Sequence, residues 1–219
     1  MSKILLLSSG LGYLTEFVGK APESVSIVFI PTAGNPDTDV WWIDKDRDVL
    51  AKMGFHFTEL DIADKKPEEL EGVLDGVDLV YVAGGYTYYL LEQVRNSGFD
   101  AVLQGFVDRG GMYVGASAGA LVVGPDIEPC ASIDDANYGP SLKSSHGLGL
   151  VPIVPMPHYS MSERRSGIDT IVEKYKVTYE IVPITDDEAI VSDGTSWRVV
   201  ESKRSELELQ WFERAGLHG

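Results

Sequence analysis

Serine, histidine and a carboxylate can together split an amide through a covalent ester, and this chain offers a serine placed for that work. Ser117 lies in "GMYVGASAGALVVG", residues 111–124. Gly115-Ala116-Ser117-Ala118-Gly119 has the G-x-S-x-G form of a nucleophile elbow. In such an elbow a strand turns sharply into a helix, the serine stands exposed, and its neighbours must be small. The backbone N–H that follows, on Ala118, can face a developing oxyanion. The competing reading is a close strand–helix contact that needs small side chains and does no chemistry.

A hydroxyl becomes a nucleophile when a base takes its proton. The chain has four histidines, His56, His146, His158 and His218. His56 sits in an alternating stretch that suits a strand or the surface. His146 lies in a loop-like segment, and His218 is next to the end of the sequence. His158 follows the apolar run "VPIVPMP", where a strand end would present a base. The acid that orients it has two sources: Asp134 or Asp135 in "SIDDAN", or Asp186, Asp187 or Glu188 in "ITDDEAIV". Gly84-Gly85 in "YVAGGYTYYLL" could supply a second oxyanion N–H, with Thr87 capping the helix behind it; an ordinary strand–helix turn explains the same residues.

These side chains need a scaffold that brings strand ends together. Lys3–Leu7, Val25–Ile30, Leu79–Val82 and Met112–Val114 are short apolar runs without alternation, as in parallel strands covered on both faces. Between them the spacing predicts helices over residues 40–53, with Asp37 and Thr38 as caps, and from Phe99 to Val107, stopped by Gly110-Gly111. Another helical stripe joins Ile168, Ile171, Val172 and Tyr175. Residues 124–160 carry six prolines and read as loop with short strands near Ile127 and Ile153. Val177–Ile184, Ala189–Val191 and Ser196–Val200 read as late, antiparallel strands, with a hairpin turn at Asp193-Gly194. Alternating strands and helices predict a three-layer α/β sandwich with a mostly parallel sheet. Ligands collect at the carboxyl ends of such strands.

At 219 residues the chain suits a single domain over 1–219. Its net charge of −16 gives no electrostatic footprint for nucleic acid or an anionic membrane. Cys130 is the only cysteine, so no internal disulfide forms. No apolar run reaches the length of a membrane span, and the start lacks a signal-peptide core. A cytoplasmic address is expected, without cofactor or metal, since no His/Cys/Asp spacing stands out. Oligomeric state is open between monomer and homodimer.

Taken together and in this order, "VAGGYTYYLL", "GASAGA" and "PHY" resemble the family of aspartyl dipeptidase (peptidase E) and cyanophycinase. "FIPTAGNP", residues 29–36, is similar to the segment after that family's second strand. The resemblance runs from the first strand to about Gly194. It implies a fold similar to class I glutamine amidotransferases, flavodoxin-like in outline, and a serine peptidase acting on small peptides or amides such as Asp-X dipeptides. It implies Ser117 as nucleophile, His158 as base, and the N–H groups of Gly85 and Ala118 as oxyanion hole. For the acid it offers Asp186, the preferred position because a strand end is firmly held, or Asp134 or Asp135. Family members commonly carry glutamate at the first of these. They recognise an acidic substrate side chain with arginine, and the nearest match is Arg164, with Arg165 next. The family's third glycine and its asparagine are here Ala83 and Tyr86, so Tyr86 bears on substrate choice. Other functions remain: an α/β-hydrolase-type esterase, which would need His218 as base, and a binding module without catalysis. A glutamine amidotransferase would want cysteine where Ser117 stands.

Overall fold

The computed structural model describes residues 2–217. Nine strands run β1 (Lys3–Leu7), β2 (Ser26–Ile30), β3 (His56–Glu59), β4 (Leu79–Val82), β5 (Met112–Ala116), β6 (Val154–Met156), β7 (Ile181–Pro183), β8 (Glu188–Ser192) and β9 (Trp197–Glu201) among the described residues. The α-helices are α1 (Leu14–Val18), α2 (Trp41–Lys52), α3 (Pro67–Leu74), α4 (Thr87–Ser97), α5 (Phe99–Asp108), α6 (Ala118–Leu121), α7 (Ser162–Tyr175) and α8 (Glu206–Ala215).

Seven strands form one sheet in the order β3-β2-β4-β5-β1-β8-β9. The first five of these are parallel, while β8 and β9 close the far edge antiparallel. Counted from β2, the order is 2-1-3-4, with the chain's own first strand filling the fifth place of a flavodoxin-like sheet. Side chains alternate across each strand, and the apolar runs are buried on both faces. Ile4, Leu6, Val28, Ile30, Val80, Val82 and Tyr113 face α3, α4, α5 and α7. Leu5, Leu7, Ile27, Phe29, Leu79, Tyr81 and Val114 face α1 and α2, with Leu207 and Trp211 of α8 at the margin. That is the three-layer α/β sandwich with a mostly parallel sheet which unalternating strands predict.

Three local expectations change. Residue 127 is not in a strand; it opens a 3₁₀ turn over Glu128–Ser132. β7 does not join the late antiparallel strands but pairs in parallel with β6 as a separate two-stranded sheet. The residues flanking β7 bond to β6 as well: Val154 N–H donates to Glu180 O at 2.9 Å, and Ile184 N–H donates to Met156 O at 3.0 Å. No side chain caps α2, whose N-cap is Val40; Asp37 turns to the backbone of Thr38 and Asp39. The acidic α8 and the short α3 are helices that the sequence reading did not propose.

Registers set the site. Leu7 of β1 stands opposite both Ala116 of β5 and Ala189 of β8. The chain therefore leaves the sheet at residues 8 and 117 on one level, beside the entry to β8. The small sheet places Met156 opposite Pro183, so residues 158 and 186 leave it side by side.

Candidate active site

Ser117 is held at φ 48°, ψ −108°, a region few non-glycine residues occupy. Its N–H donates to Leu7 O at 3.0 Å, and its carbonyl accepts from Ala120 and Leu121 as α6 begins. The turn is possible because Gly119 has no side chain: a Cβ there would collide with the Val82 carbonyl. The motif thus serves packing and exposure together. The backbone constraint holds Ser117 half-buried at the mouth of the turn rather than in the core.

His158 also has a positive φ, 66°. Its Nε2 lies 3.0 Å from Ser117 Oγ, and its Nδ1 lies 2.8 Å from Asp186 Oδ1. Burial of Asp186 pushes its carboxyl up, but the hydrogen bond and charge of His158, with bonds from Ser8 and Ser160, outweigh this and bring it down to about 2. An ionised Asp186 on Nδ1–H leaves Nε2 as the lone-pair nitrogen facing the serine.

Among the described residues, none of the other four carboxylates considered for this place bonds His158; Glu188, for one, accepts from the Thr185 hydroxyl at 2.8 Å. Asp134 Oδ2 accepts the N–H of Thr87 at 3.2 Å, at the start of α4. Asp135 caps the following 3₁₀ turn by accepting from Asn137 N–H. His146 pairs with Asp126 at 3.0 Å, His56 is exposed on β3, and His218 lies outside the described residues.

Gly84-Gly85 is fixed from two sides. Trp42 Nε1–H donates to Gly84 O at 3.0 Å, and Tyr86 N–H donates to Ala33 O at 2.8 Å. Gly85 has φ 147° and lies so close to Ala33 that a Cβ would strike its carbonyl. Since the peptide bond is trans, the Gly85 N–H points opposite to the Gly84 carbonyl that Trp42 holds. Among the described residues, neither Gly85 N–H nor Ala118 N–H is engaged by a protein acceptor. A Cβ on Gly84 would sit 3.1 Å from Ser117 Cβ, so this loop lies directly against the serine.

These groups open into a cavity of about 490 Å³, lined also by Trp41, Trp42, Cys130, Met161 and Arg164. Thr87 is the first residue of α4, and its side chain caps nothing. Tyr86 donates to Asp37 at 3.1 Å and its ring centroid is 4.1 Å from that of Tyr138. The hydrogen bond with Tyr138, burial and the bond to Asp37 push the Tyr86 phenol up to about 12, so it stays a donor. Arg165 turns away: its Nε–H donates to Tyr159 O at 3.3 Å and its guanidinium lies over the Tyr159 ring. Burial pushes the Cys130 thiol far up, and it donates to Ile127 O, so it is no nucleophile.

Sequence reasoning did not find three contributors. Ser8 donates to Asp186 Oδ1 at 2.9 Å and accepts the His158 N–H at 2.8 Å. Ser160 donates to Asp186 Oδ2 at 3.2 Å, and Arg204 Nη2 lies 4.0 Å from the same oxygen. Only "LLLSS" hinted at the first, a small polar residue just past the carboxyl end of a strand. Among the described residues, no group of three or more His, Cys, Asp or Glu is arranged to hold a metal ion. Nor is any described helix long and apolar enough to cross a membrane.

The sequence pattern of Peptidase family S51 matches residues 4–200. An uncharacterized peptidase of Pasteurella multocida is 30% identical over 193 residues, covering 87% of this chain and 93% of that protein. Peptidase E of Salmonella arizonae is 32% identical over 137 residues, 62% of this chain and 56% of that protein. The crystal structure of a peptidase E candidate from Listeria monocytogenes EGD-e superimposes with a TM-score of 0.85 at 28% identity, covering 93% of this chain and 100% of that one.

Proposed function

The chain belongs to Peptidase family S51 and is a serine-type peptidase, and from that premise we propose that it cleaves small peptides with an acidic first residue through an ester on Ser117. The observation that carries the proposal is the hydrogen-bonded line Ser117 Oγ, His158, Asp186, with steps of 3.0 and 2.8 Å.

His158 Nε2 takes the Ser117 proton as Oγ attacks the amide carbonyl. The oxyanion that forms lies against the N–H groups of Gly85 and Ala118, each worth about 3 kcal/mol of barrier in such a site. His158, now protonated, gives its proton to the leaving amine as the C–N bond breaks. Water then repeats the sequence on the ester and frees the acid. Asp186 holds the imidazole tautomer and stabilises the imidazolium. Arg164 offers a planar, bidentate donor for the substrate's carboxylate, and Tyr86, backed by the ring of Tyr138, forms part of the wall that selects the residue.

The test is a panel of dipeptides with Asp, Glu, Asn and neutral first residues, run on the parent and on Ser117→Ala. Turnover confined to acidic first residues, and abolished in Ser117→Ala with thermal stability unchanged, supports the proposal. Equal turnover by both proteins, or absence of a fluorophosphonate adduct on Ser117 in the parent, sinks it.

A further inference from the structure

The cavity holds one cation that the proposed chemistry leaves over. Among the described residues its lysines and arginines are Lys45, Arg164 and Arg204. Lys45 is committed: its Nζ donates to Ser9 O and lies 3.0 Å from Asp46 and 3.3 Å from Glu208. Arg164 is assigned to the substrate's first residue. Arg204 makes no side-chain hydrogen bond among the described residues, and its Nε–H is buried without an acceptor. The carboxylate it approaches is Asp186, whose Oδ2 stands 4.0 Å from Nη2, beyond hydrogen-bond reach. The groups that hold that carboxyl ionised are His158, Ser8 and Ser160, which leaves the guanidinium's donors unused. A guanidinium whose side chain is only 22% exposed has lost much of its hydration and has gained no hydrogen bond for it.

The backbone under Arg204 is firmly held. Ser202 Oγ donates to Gly10 O at 2.8 Å and Ser202 N–H donates to Asp187 O at 2.7 Å. Residues 202–204 therefore run beside the end of β1 and the entry to β8. The Arg204 guanidinium lies over the Phe212 ring of α8, 5.0 Å from its centroid, and Phe212 packs edge-on against Trp41 of α2. Arg204 thus enters the cavity with α2 and α8, on one face of the sheet. Arg164 enters with α7, on the other face. Ser117 stands between them, at the carboxyl end of β5.

An amide that presents its carbonyl to a serine sends its two halves in opposite directions. With the acidic first residue turned to Arg164, the leaving residue faces α2, α8 and Arg204. In a dipeptide that leaving residue carries the free α-carboxylate, and a guanidinium fork matches a carboxylate with two parallel N–H donors. We infer that Arg204 takes the terminal carboxylate of the leaving residue, so that the enzyme selects substrates two residues long. In a longer peptide an uncharged amide stands at the same position and leaves Arg204 unpaired. This rests on the proposed peptidase site and adds a length limit to it. The chain's net charge of −16 opposes any added carboxylate, so a preference for one must come from a local cation.

Arg204→Gln removes the charge and keeps a long polar side chain. Binding is read by calorimetry on Ser117→Ala protein, with Asp-Leu and Asp-Leu amide as probes, which differ only at the terminal carboxylate. A charge-assisted hydrogen bond is worth about tenfold or more in affinity. Ser117→Ala should bind Asp-Leu at least about tenfold tighter than its amide. Adding Arg204→Gln should bring the two within about twofold, chiefly by weakening Asp-Leu. Arg164→Gln should weaken both probes and keep their ratio. If Arg204 were only a counter-charge for Asp186, its replacement would leave the ratio where it was. A preference that survives Arg204→Gln, one that is missing from the start, or binding of neither probe overturns the assignment. Should Arg204→Gln not fold, Arg204→Lys reads the same point: without the fork the preference should fall at least about threefold, and an unmoved ratio again overturns it. A neutral fluorophosphonate on the parent keeps the two ideas apart. If it labels Ser117 while the ratio does not move, only the role of Arg204 falls. If Ser117 stays unlabelled, the serine chemistry falls, and the leaving residue with it.

Discussion

Ser8 Oγ donates to Asp186 Oδ1 at 2.9 Å, the same oxygen that receives His158 Nδ1 at 2.8 Å. One buried hydroxyl at the end of β1 therefore orients the acid and, by accepting the His158 N–H, also the backbone of the base.

Ser8→Ala should lower kcat/KM by about ten- to a hundredfold, the size of a lost hydrogen bond to a charged group plus an N–H left without its acceptor. The fall should lie mostly in kcat, because Ser8 positions other groups and is not needed to hold the peptide. The acid limb of the pH–rate profile should also move upward, since one bond that keeps Asp186 ionised is gone. An unchanged profile with an unchanged kcat would show that Ser8 is merely structural.

The depressed Asp186 carboxyl links stability to acid. Its folded value of about 2 is below the ordinary 3.8, so the unfolded chain binds the proton more readily. The stabilisation is fully present above about pH 4 and is lost as pH falls through the folded value, an effect of roughly 2 kcal/mol. Chemical denaturation between pH 6 and pH 2 should show Asp186→Asn losing less stability on acidification than the parent. At neutral pH the same variant should lose about four orders of magnitude in kcat, the cost seen when a serine protease's histidine is left in the wrong tautomer.

Gly85→Ala should damage both folding and chemistry. The new methyl would have to move the Ala33 carbonyl, and φ 147° is unsuited to alanine. A loss of about 1–3 kcal/mol in stability is expected from the backbone conformation alone. Any displaced Gly85 N–H would also weaken the oxyanion site, so kcat should drop further than the unfolding data account for. Equal kcat in a fully folded variant would remove Gly85 from the oxyanion hole.

The C-terminal helix is anchored by a buried charge. Glu208 lies 3.3 Å from Lys45 Nζ, accepts the Leu11 N–H, and closes a capping box with Ser205. Glu208→Ala leaves Lys45 with one partner fewer in a buried place and should cost about 3–5 kcal/mol. Because α8 also packs Trp211 and Phe212 on Trp41, a wall of the cavity, KM should rise as the helix loosens. Urea denaturation with dipeptide kinetics on the folded fraction checks both effects.

What the sequence determined by itself was local. Unalternating apolar runs such as 79–82 must be covered on both faces, so a layered parallel sheet followed from residue types alone. The small residues around Ser117 and the paired glycines at 84–85 reported their own backbone demands, because close approach and positive φ are properties of a few neighbouring atoms. His158 was legible as a residue just beyond an apolar run. The tertiary structure decided everything that depends on strand order and register. Asp186 was preferred over Asp134 and Asp135 only as the carboxylate nearest a strand end, with nothing local to tie it to His158. Only the pairing of β6 with β7 puts Asp186 beside His158, while Asp134 turns to Thr87. Ser8 enters because β1 lies between β5 and β8, a neighbour relation across 178 residues that no local spacing encodes. Side-chain partners at such distances are chosen by how whole strands stack, and a short window of sequence carries no record of that choice.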